Sequence, residues 1–450
     1  MQRIEIYFAL MFCVAPNLSA AIVGTNPPAL PLSTERISSL PAKQQPVWKK
    51  YLEHSVKQLR ADRAFFFNEV KSLGIKEFAE PPKGNSKDRL PLNKPASWYS
   101  EPEALRIADI IVSFQTPAGG WSKNLSFSEH RRAPGEPFAT GGGSARLTEF
   151  DNDLPRDFSW SYVGTFDNSA TTTQLRFLAK VIRVVNPKRG EVYRAAFFSG
   201  MNYIFAAQNP NGGWPQVWPL EGSYHDAITF NDGAMINVLQ LLKNVAKGSD
   251  EFAFVPQSTR KFATSSLQRG IDCILATQIL TGGRRTVWCQ QHDLLTLQPT
   301  SARNYEMPSQ GGSESAEIMW FLMELPDPNA KIVTAVHEAA AWLEKAEIHD
   351  FVFKRVGEDG RELVPTPGAE PLWARYYQIG TDRPIFGDRD KTIHSDVSEI
   401  SKERRNGYSW FSAKPMRALD RYALWKEAHP NRSESNDGKL DESVRQSARR

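Results

Sequence analysis

Cysteine is scarce in this chain, with three in 450 residues. Cys13 lies in an N-terminal apolar stretch, which leaves Cys273 and Cys289. Two thiols exclude a disulfide-stapled scaffold; in an oxidising compartment they either pair or stay as buried thiols. Histidine is thin too, at eight residues. No His/Cys spacing resembles a zinc site, since His292 and Cys289 alone are too few ligands. The chain also lacks a strong excess of one charge: 55 basic against 51 acidic residues leave a net +4. That excludes a dense basic surface, and with it nucleic acid as a partner. It is compatible with an anionic substrate. Beyond the N-terminus no apolar run approaches the ~18 residues a membrane helix needs.

What is present begins with an export signal. Arg3 supplies a positive start, residues 6–15 (IYFALMFCVA) form a short apolar core, and Leu18-Ser19-Ala20 offers small residues for cleavage. We read 1–20 as a signal peptide, the alternative being an N-terminal strand or anchor. The mature chain is then expected to be exported, to the periplasm or beyond, without a stable membrane anchor and as a monomer. Residues 21–45 read as an extended lead-in, 46–425 as a single folded domain, and 426–450 as a polar, disordered tail.

Hydrophobic spacing predicts helices over 47–73, 104–115, 170–185, 188–207, 258–278, 314–325, 331–346 and 410–425, with another running through Met235, Val238, Leu239, Leu242 and Val245. Ser100-x-x-Glu103 reads as a capping box. Residues 125–164 read as a surface loop, 352–378 as a short sheet, and 383–408 as a charged loop. Three helices end alike: Gln115 then Gly-Gly and Trp121, Gln208 then Gly-Gly and Trp214, Gln278 then Gly-Gly and Trp288. The next helix opens on Thr165-Phe-Asp-Asn168, on Thr229-Phe-Asn-Asp232, or on Gly312-Ser-Glu-Ser315. This internal repeat implies a mainly α fold, an (α/α) toroid with long irregular loops and a few short strands at one rim.

The same joints hold the candidate site. Trp121, Trp214 and Trp288 offer flat faces for a sugar ring, or else are core residues beside helix caps. Asp167, Asn168, Asn231, Asp232 and Glu314 begin helices, where N-capping is the plain reading for Asn168, Asn231 or Ser313. Alternatively their oxygens converge on a hard cation such as Ca²⁺. Arg303, Arg375, Arg404 and Arg405 each have aromatic neighbours and suit carboxylate recognition, or else salt bridges to Glu306, Asp382 or Glu403. Residues 286–315 concentrate a Trp, His292, Asp293, Arg303, Tyr305 and Glu306 in irregular backbone.

Taken together these segments resemble the pectate lyases of polysaccharide lyase family 10. The matching stretches are QTPAGGWSKN (115–124), TFDNSATTTQ (165–174), QNPNGGWPQ (208–216), ITFNDGAM (228–235), TVWCQQHD (286–293), ARNYEMPSQGGSES (302–315), LWARYY (372–377), RPIFGDRD (383–390) and ERRNGYSW (403–410). The resemblance implies Ca²⁺-assisted β-elimination of polygalacturonate, with Arg303 as the base. It implies Asp167 and Asp232 at the metal and substrate site; Asn168, Asn231 and Glu314 remain, from their own chemistry, the further candidate ligands. It also implies a substrate-carboxylate contact at Arg375; Lys123, Trp121, Trp214, Trp288, Arg404, Arg405, Tyr305 and His292 complete our own set of candidate substrate-binding residues. Ser122 stands where the family usually has Pro, and Gly233 where a second Asp often follows.

Elimination removes the proton at C5 of a uronate, next to its carboxylate. Arg303 accepts that proton only if its surroundings lower its affinity for one; otherwise water or hydroxide is the base. Two other readings use the same residues. A hydrolase needs two carboxyls flanking the bond, a part open to Asp167 and Asp232. A non-catalytic carbohydrate-binding protein would need the Trp rim alone.

Overall fold

The computed structural model describes residues 22–77, 81–84, 90–140, 160 and 162–430. The stretch read as a signal peptide and nearly all of the stretch read as a tail therefore lie outside the described residues. The eleven α-helices described are α1 (Thr34–Ser38), α2 (Gln45–Ser72), α3 (Pro102–Ser113), α4 (Thr172–Val184), α5 (Pro187–Ala207), α6 (Ala234–Lys247), α7 (Gln257–Thr277), α8 (Gly312–Met323), α9 (Ala330–Lys345), α10 (Lys402–Gly407) and α11 (Lys414–Ala428). Proline stands in the first turn of α2, α3, α5 and α11, where its missing N–H costs nothing. Gly248 ends α6 in a left-handed cap, a conformation that only glycine adopts freely. The capping box does not form. Ser100 belongs to a 3₁₀ turn and donates its hydroxyl to the Ser97 carbonyl, and α3 starts after Glu101.

The helices build the expected (α/α) toroid. Helices α4, α6, α8 and α11 pack side by side, and each packs on an outer partner: α4 on α3 and α5, α6 on α7, α8 on α9, α11 on α9. Their apolar faces fill one large core that runs from Leu32 to Tyr422. A smaller core gathers Met307, Tyr376, Phe386 and Trp410. A third joins Phe66 to Phe138, Trp160 and Val163, so the described ends of segment 125–164 are not all surface.

The Gln–Trp repeat is a staple. Each Trp lies wholly buried, and its indole N–H donates to a carbonyl near the end of the outer helix before it: Trp121 to Ile111, Trp214 to Ile204, Trp288 to Ile274. Each Gln reaches the other way, its amide donating to a carbonyl of the next outer helix: Gln115 to Ala196, Gln208 to Ser266, Gln278 to Ala335. A buried indole is worth about 4–6 kcal/mol by area. A fourth copy was hidden in the sequence, because Trp373 donates to Leu343 at the end of α9 with no Gly-Gly before it.

The glycines differ between copies. In the first two, a Cβ on Gly120 would sit 2.6 Å from the Tyr203 ring, and one on Gly213 2.6 Å from Ile228. In the third, Gly282 and Gly283 meet nothing within 4 Å and only turn a small hairpin, Leu280–Thr281 on Arg284–Arg285. That Gly-Gly match is not equivalent to the others.

Strands are short. The longest pair is the hairpin Phe351–Val356 with Gly360–Pro365, within the expected sheet region. The supposed lead-in is structured: Ile22–Thr25 pairs with Thr392–His394, which pairs in turn with Phe386–Gly387. The charged segment 383–408 thus contributes two strands and helix α10. Cys273 and Cys289 are buried free thiols, not a disulfide.

Candidate active site

The staples bring the beginnings of the inner helices to one rim. Before α4 the chain passes through Asp167–Ser169 with Asn168 at φ 51°, and before α6 through Asn231–Gly233 with Asp232 at φ 50°. Both positions are left-handed, where a polar side chain is tolerated and a branched one is not. None of the expected caps forms through a side chain; the cap positions are Thr171, Gly233 and Gly311. The strained turns instead present Asn168 and Asp232, both exposed, to a cleft of about 630 Å³. Lys123, Thr173, Glu317 and Lys414 also line it.

Asp167 lies beneath, 4% exposed, and its Oδ2 receives Lys123 Nζ at 2.6 Å. Burial pushes its pKa up, but Lys123, with Arg303 beyond it, holds the carboxyl below its ordinary value. The Lys123 ammonium is held charged: burial disfavours it, while Asp167 and the Tyr162 ring, 3.6 Å away, more than offset that. Asp232 behaves differently. The enclosing cleft walls, and then Asp167, raise its pKa against the pull of Arg375; Glu314 and Glu306 add to the rise. Here carboxylates outnumber the cations that neutralise them.

Arg375 sits opposite. Its Nη2 donates to Asn231 Oδ1 at 2.8 Å, to Glu314 Oε1 at 3.0 Å and to Gln290 Oε1 at 3.3 Å. Its Nε and the Glu314 Oε2 are buried without a partner among the described residues. Arg303 comes from the insertion that sets the third joint apart. A tight turn, closed by Glu306 N–H to the Arg303 carbonyl at 2.8 Å, folds it onto Glu306. The pairing is bidentate: Nε to Oε2 at 2.9 Å and Nη2 to Oε1 at 2.6 Å. Burial alone would ease deprotonation of Arg303, but Glu306 and the neighbouring tyrosines more than reverse it and hold the guanidinium charged. Its surroundings thus raise its affinity for a proton, where a base role calls for them to lower it. Glu306 is held down at about 2 despite its burial, by Arg303 and a hydrogen bond from Tyr408. Tyr408 Oη in turn meets Tyr376 Oη at 2.7 Å, and Tyr376 donates to Gln290 at 2.5 Å. Glu306, Tyr408, Tyr376 and Gln290 thus link the two arginines. Sequence reasoning missed Gln290, Tyr376 and Tyr408 as site residues, although each lies inside a matched motif.

Several expected contacts move elsewhere. Trp121, Trp214 and Trp288 are core staples and offer no face to a sugar. His292 is fully buried; its Nε2 accepts from the Cys289 amide, its Nδ1 donates to the Leu297 carbonyl, and burial takes its pKa down to about 4. It holds its own loop as a neutral ring. Tyr305, 2% exposed, is packing for guanidiniums: Arg404 lies 4.3 Å and Arg303 5.0 Å from its centroid. Arg404 is buried and paired with Glu403 at 2.8 Å. Arg405 is committed to the carbonyls of Ser398 and Asp359 and takes no part in this cluster. Gly233 is left-handed at φ 68°, and a Cβ there would lie 3.1 Å from Asn237 Nδ2. An aspartate would be strained at this turn.

Comparison with known proteins gives the family. Residues 115–419 match the sequence profile of the family described as pectic acid lyase. No curated protein matches the chain by sequence. Among solved structures it is similar to a mutant of a family 10 polysaccharide lyase from Cellvibrio cellulosa in complex with trigalaturonic acid. The TM-score is 0.61 at 30% identity, over 76% of this chain and 99% of that one. It is similar also to the family 10 polysaccharide lyase from the same organism, at TM-score 0.61 and 29% identity, over 78% of this chain and 99% of that one. The fold agrees with both, and the chain belongs to the pectic acid lyase family as a polysaccharide lyase of family 10.

Proposed function

We propose that the chain is exported and cleaves polygalacturonate by β-elimination, with Arg303 taking the C5 proton. The observation that carries this is the meeting, at one rim, of Lys123, Arg303 and Arg375 with Asp167, Asp232 and Glu314. A uronate carboxylate has a ready partner in the unsatisfied Arg375 Nε. As the C5–H bond breaks, negative charge grows on that carboxylate, and a fixed guanidinium stabilises it more than the ground state. The C5–H electron pair becomes the C4=C5 double bond, the C4–O bond breaks, and the departing oxygen takes a proton from solvent.

Arg303 is aimed by its turn and by the rings of Tyr305 and Tyr408. Its pairing with Glu306 works against deprotonation, so the basic form grows only as pH rises, and the rate rises with it. The donor set suits Ca²⁺: the oxygens of Asp167 and Asp232, with Glu314 Oε2 unpartnered. Among the described residues no three acidic, His or Cys groups form a closed cage, so substrate and water would complete the shell. A bound Ca²⁺ would supply positive charge against the uronate carboxylate and relieve the repulsion at Asp232.

The test is the ultraviolet absorbance of the unsaturated product from polygalacturonate, followed with and without chelator. A rise that chelator abolishes is expected. New reducing ends without absorbance would mean hydrolysis, and no change would mean binding only. A chelator-insensitive rise would remove the Ca²⁺ role, and an Arg303→Lys variant with a near-normal rate would remove the base assignment.

A further inference from the structure

The turn that carries Arg303 is held from outside the segment that matches the family. Residues 22–38 run across it as a strap, although the family match begins only at residue 115. Asn26 is the point of contact. It is 1% exposed, and its Nδ2 faces three carbonyls of the turn: Asn304 at 2.8 Å, Arg303 at 3.0 Å and Glu306 at 3.2 Å. Its own amide nitrogen donates to the Lys391 carbonyl at 2.8 Å. Next along, the Pro27 carbonyl accepts the hydroxyl of Ser301, at the start of the same turn. The strap is tied down on either side. Ile22–Thr25 lies in the three-stranded sheet. Leu32 and Ile37 sit in the main core, the Leu32 amide donates to Asp226 Oδ2 at 2.9 Å, and Arg36 reaches Asp293 Oδ2 at 2.5 Å.

We propose that Asn26 is a positioning residue for the reaction, acting through the backbone of the 303–306 turn to keep Arg303 aimed and paired with Glu306. This rests on the role given to Arg303 above. Carbonyls crowded together in a buried turn need donors. One primary amide serves three of them, two belonging to the residues whose side chains form the Arg303–Glu306 pair. No other residue type of that size presents two N–H groups from a planar head and stays neutral. Without it the turn loses the contact that fixes it to the strap, and a displacement of about 1 Å in a reacting group costs on the order of 10²-fold in rate.

The experiment compares full-length wild type with Asn26→Ala, and with Ser55→Ala as a control. The Ser55 hydroxyl accepts the Leu220 amide in a buried contact away from the turn. Expected for Asn26→Ala is a kcat loss of about 10–100-fold with KM for polygalacturonate within about two-fold. The alkaline rise of the pH profile should also move to lower pH, because a loosened Glu306 no longer raises the proton affinity of Arg303. Ser55→Ala should lose thermal stability while keeping kcat and pH profile. If Asn26→Ala matches Ser55→Ala in kcat, KM and pH profile, the proposal fails. Should Asn26→Ala not fold, Asn26→Ser, which keeps one donor, must show the same kcat loss in part, and a normal kcat there also overturns it. Arg303→Lys is assayed in parallel. If that variant is inactive and Asn26→Ala normal, the strap proposal alone is wrong. If Arg303→Lys is active, the base assignment is wrong, and a kcat loss in Asn26→Ala would still assign the strap to the turn.

Discussion

The joints between outer and inner helices have two ends of opposite character. At the Gln–Trp end, indole and amide donors are spent on helix carbonyls in the core. At the Asp–Arg end, a few residues away, like charges crowd together, non-glycine residues sit at positive φ, and the Arg375 Nε and Glu314 Oε2 are left buried without partners among the described residues. One end repeats its indole bond through four copies, Trp373 included, and its Gln bond through three. The other changes at each copy: carboxylate and amide trade places between Asp167-Asn168 and Asn231-Asp232, and the third copy carries the insertion with Arg303. The recurring half holds the ring of helices together, and the varying half is where chemistry is placed.

Two substitutions of large effect would break that comparison if they failed to separate. Arg303→Ala should lower kcat by about 10³-fold even in the folded fraction, and because it leaves the buried Glu306 without its cation it should also lower the melting temperature. Trp214→Ala should cost stability without that kcat loss. Removing a wholly buried indole and its hydrogen bond costs about 3–5 kcal/mol. Activity per folded molecule, measured well below the melting transition, should stay near normal. A Trp214→Ala protein that folded normally but bound substrate poorly would return the tryptophans to the cleft.

Glu306 sharpens the comparison through pH. Its folded pKa of about 2 lies below the ordinary carboxylate value. A depressed carboxyl contributes stability that is present above its unfolded pKa and lost as pH falls through the folded one. Wild type should therefore lose this contribution between about pH 4.5 and 2, and Glu306→Gln should lack that acid-side loss. On the alkaline side the same variant should begin its rise in rate at lower pH, because Glu306 is what holds Arg303 protonated. An unchanged alkaline limb would mean that Arg303 does not titrate in the rate. His292 gives a second check: buried at a pKa of about 4, it should contribute no limb between pH 5 and 8.

Much of the fold was legible in the sequence, for identifiable reasons. Apolar spacing marked the nine longer of the described helices to within a few residues, because inner helices such as α6 bury a continuous face; the short α1 and α10 were read as lead-in and loop. The joints were legible because Gln, Gly-Gly and Trp recur. What the sequence hid depends on packing. A Trp in the core and a Trp on a rim are written alike, so the staples read as sugar platforms. Trp373 escaped notice because no glycines precede it. Ser100 and Glu103 had capping-box spacing, but the hydroxyl found a nearer acceptor at Ser97. The site was legible where charge is unusual, at Asp167, Asp232, Arg303 and Arg375. It was hidden where neutral groups matter, as at Asn26, Gln290, Tyr376 and Tyr408.

A smaller effect is expected at Lys123, whose ammonium sits on Asp167 and beside the cleft. Lys123→Ala should release that carboxyl from its main cation, raise its pKa, and lower kcat/KM about tenfold, read from initial rates on polygalacturonate. An unchanged rate would place the working end of the joint elsewhere, around Asp232 and Arg375 alone.

The smallest effect separates two neighbours. Arg404 lies 4.3 Å from the Tyr305 centroid and 5.7 Å from that of Tyr408, inside the stack of rings and guanidiniums that includes Arg303. Arg405 points its donors at the Ser398 and Asp359 carbonyls, on the short helix and hairpin behind the rim. Arg404→Ala should therefore loosen the ring that supports Arg303 and lower kcat by about ten-fold. Arg405→Ala should leave kcat and KM within about two-fold and cost only the roughly 1–2 kcal/mol of its two backbone contacts, visible as a small fall in melting temperature. If Arg405→Ala raised KM for polygalacturonate as strongly as Arg404→Ala affected kcat, the cleft would have to extend over the hairpin, and the boundary drawn here between the scaffold and reactive ends of the joint would move outward to include it.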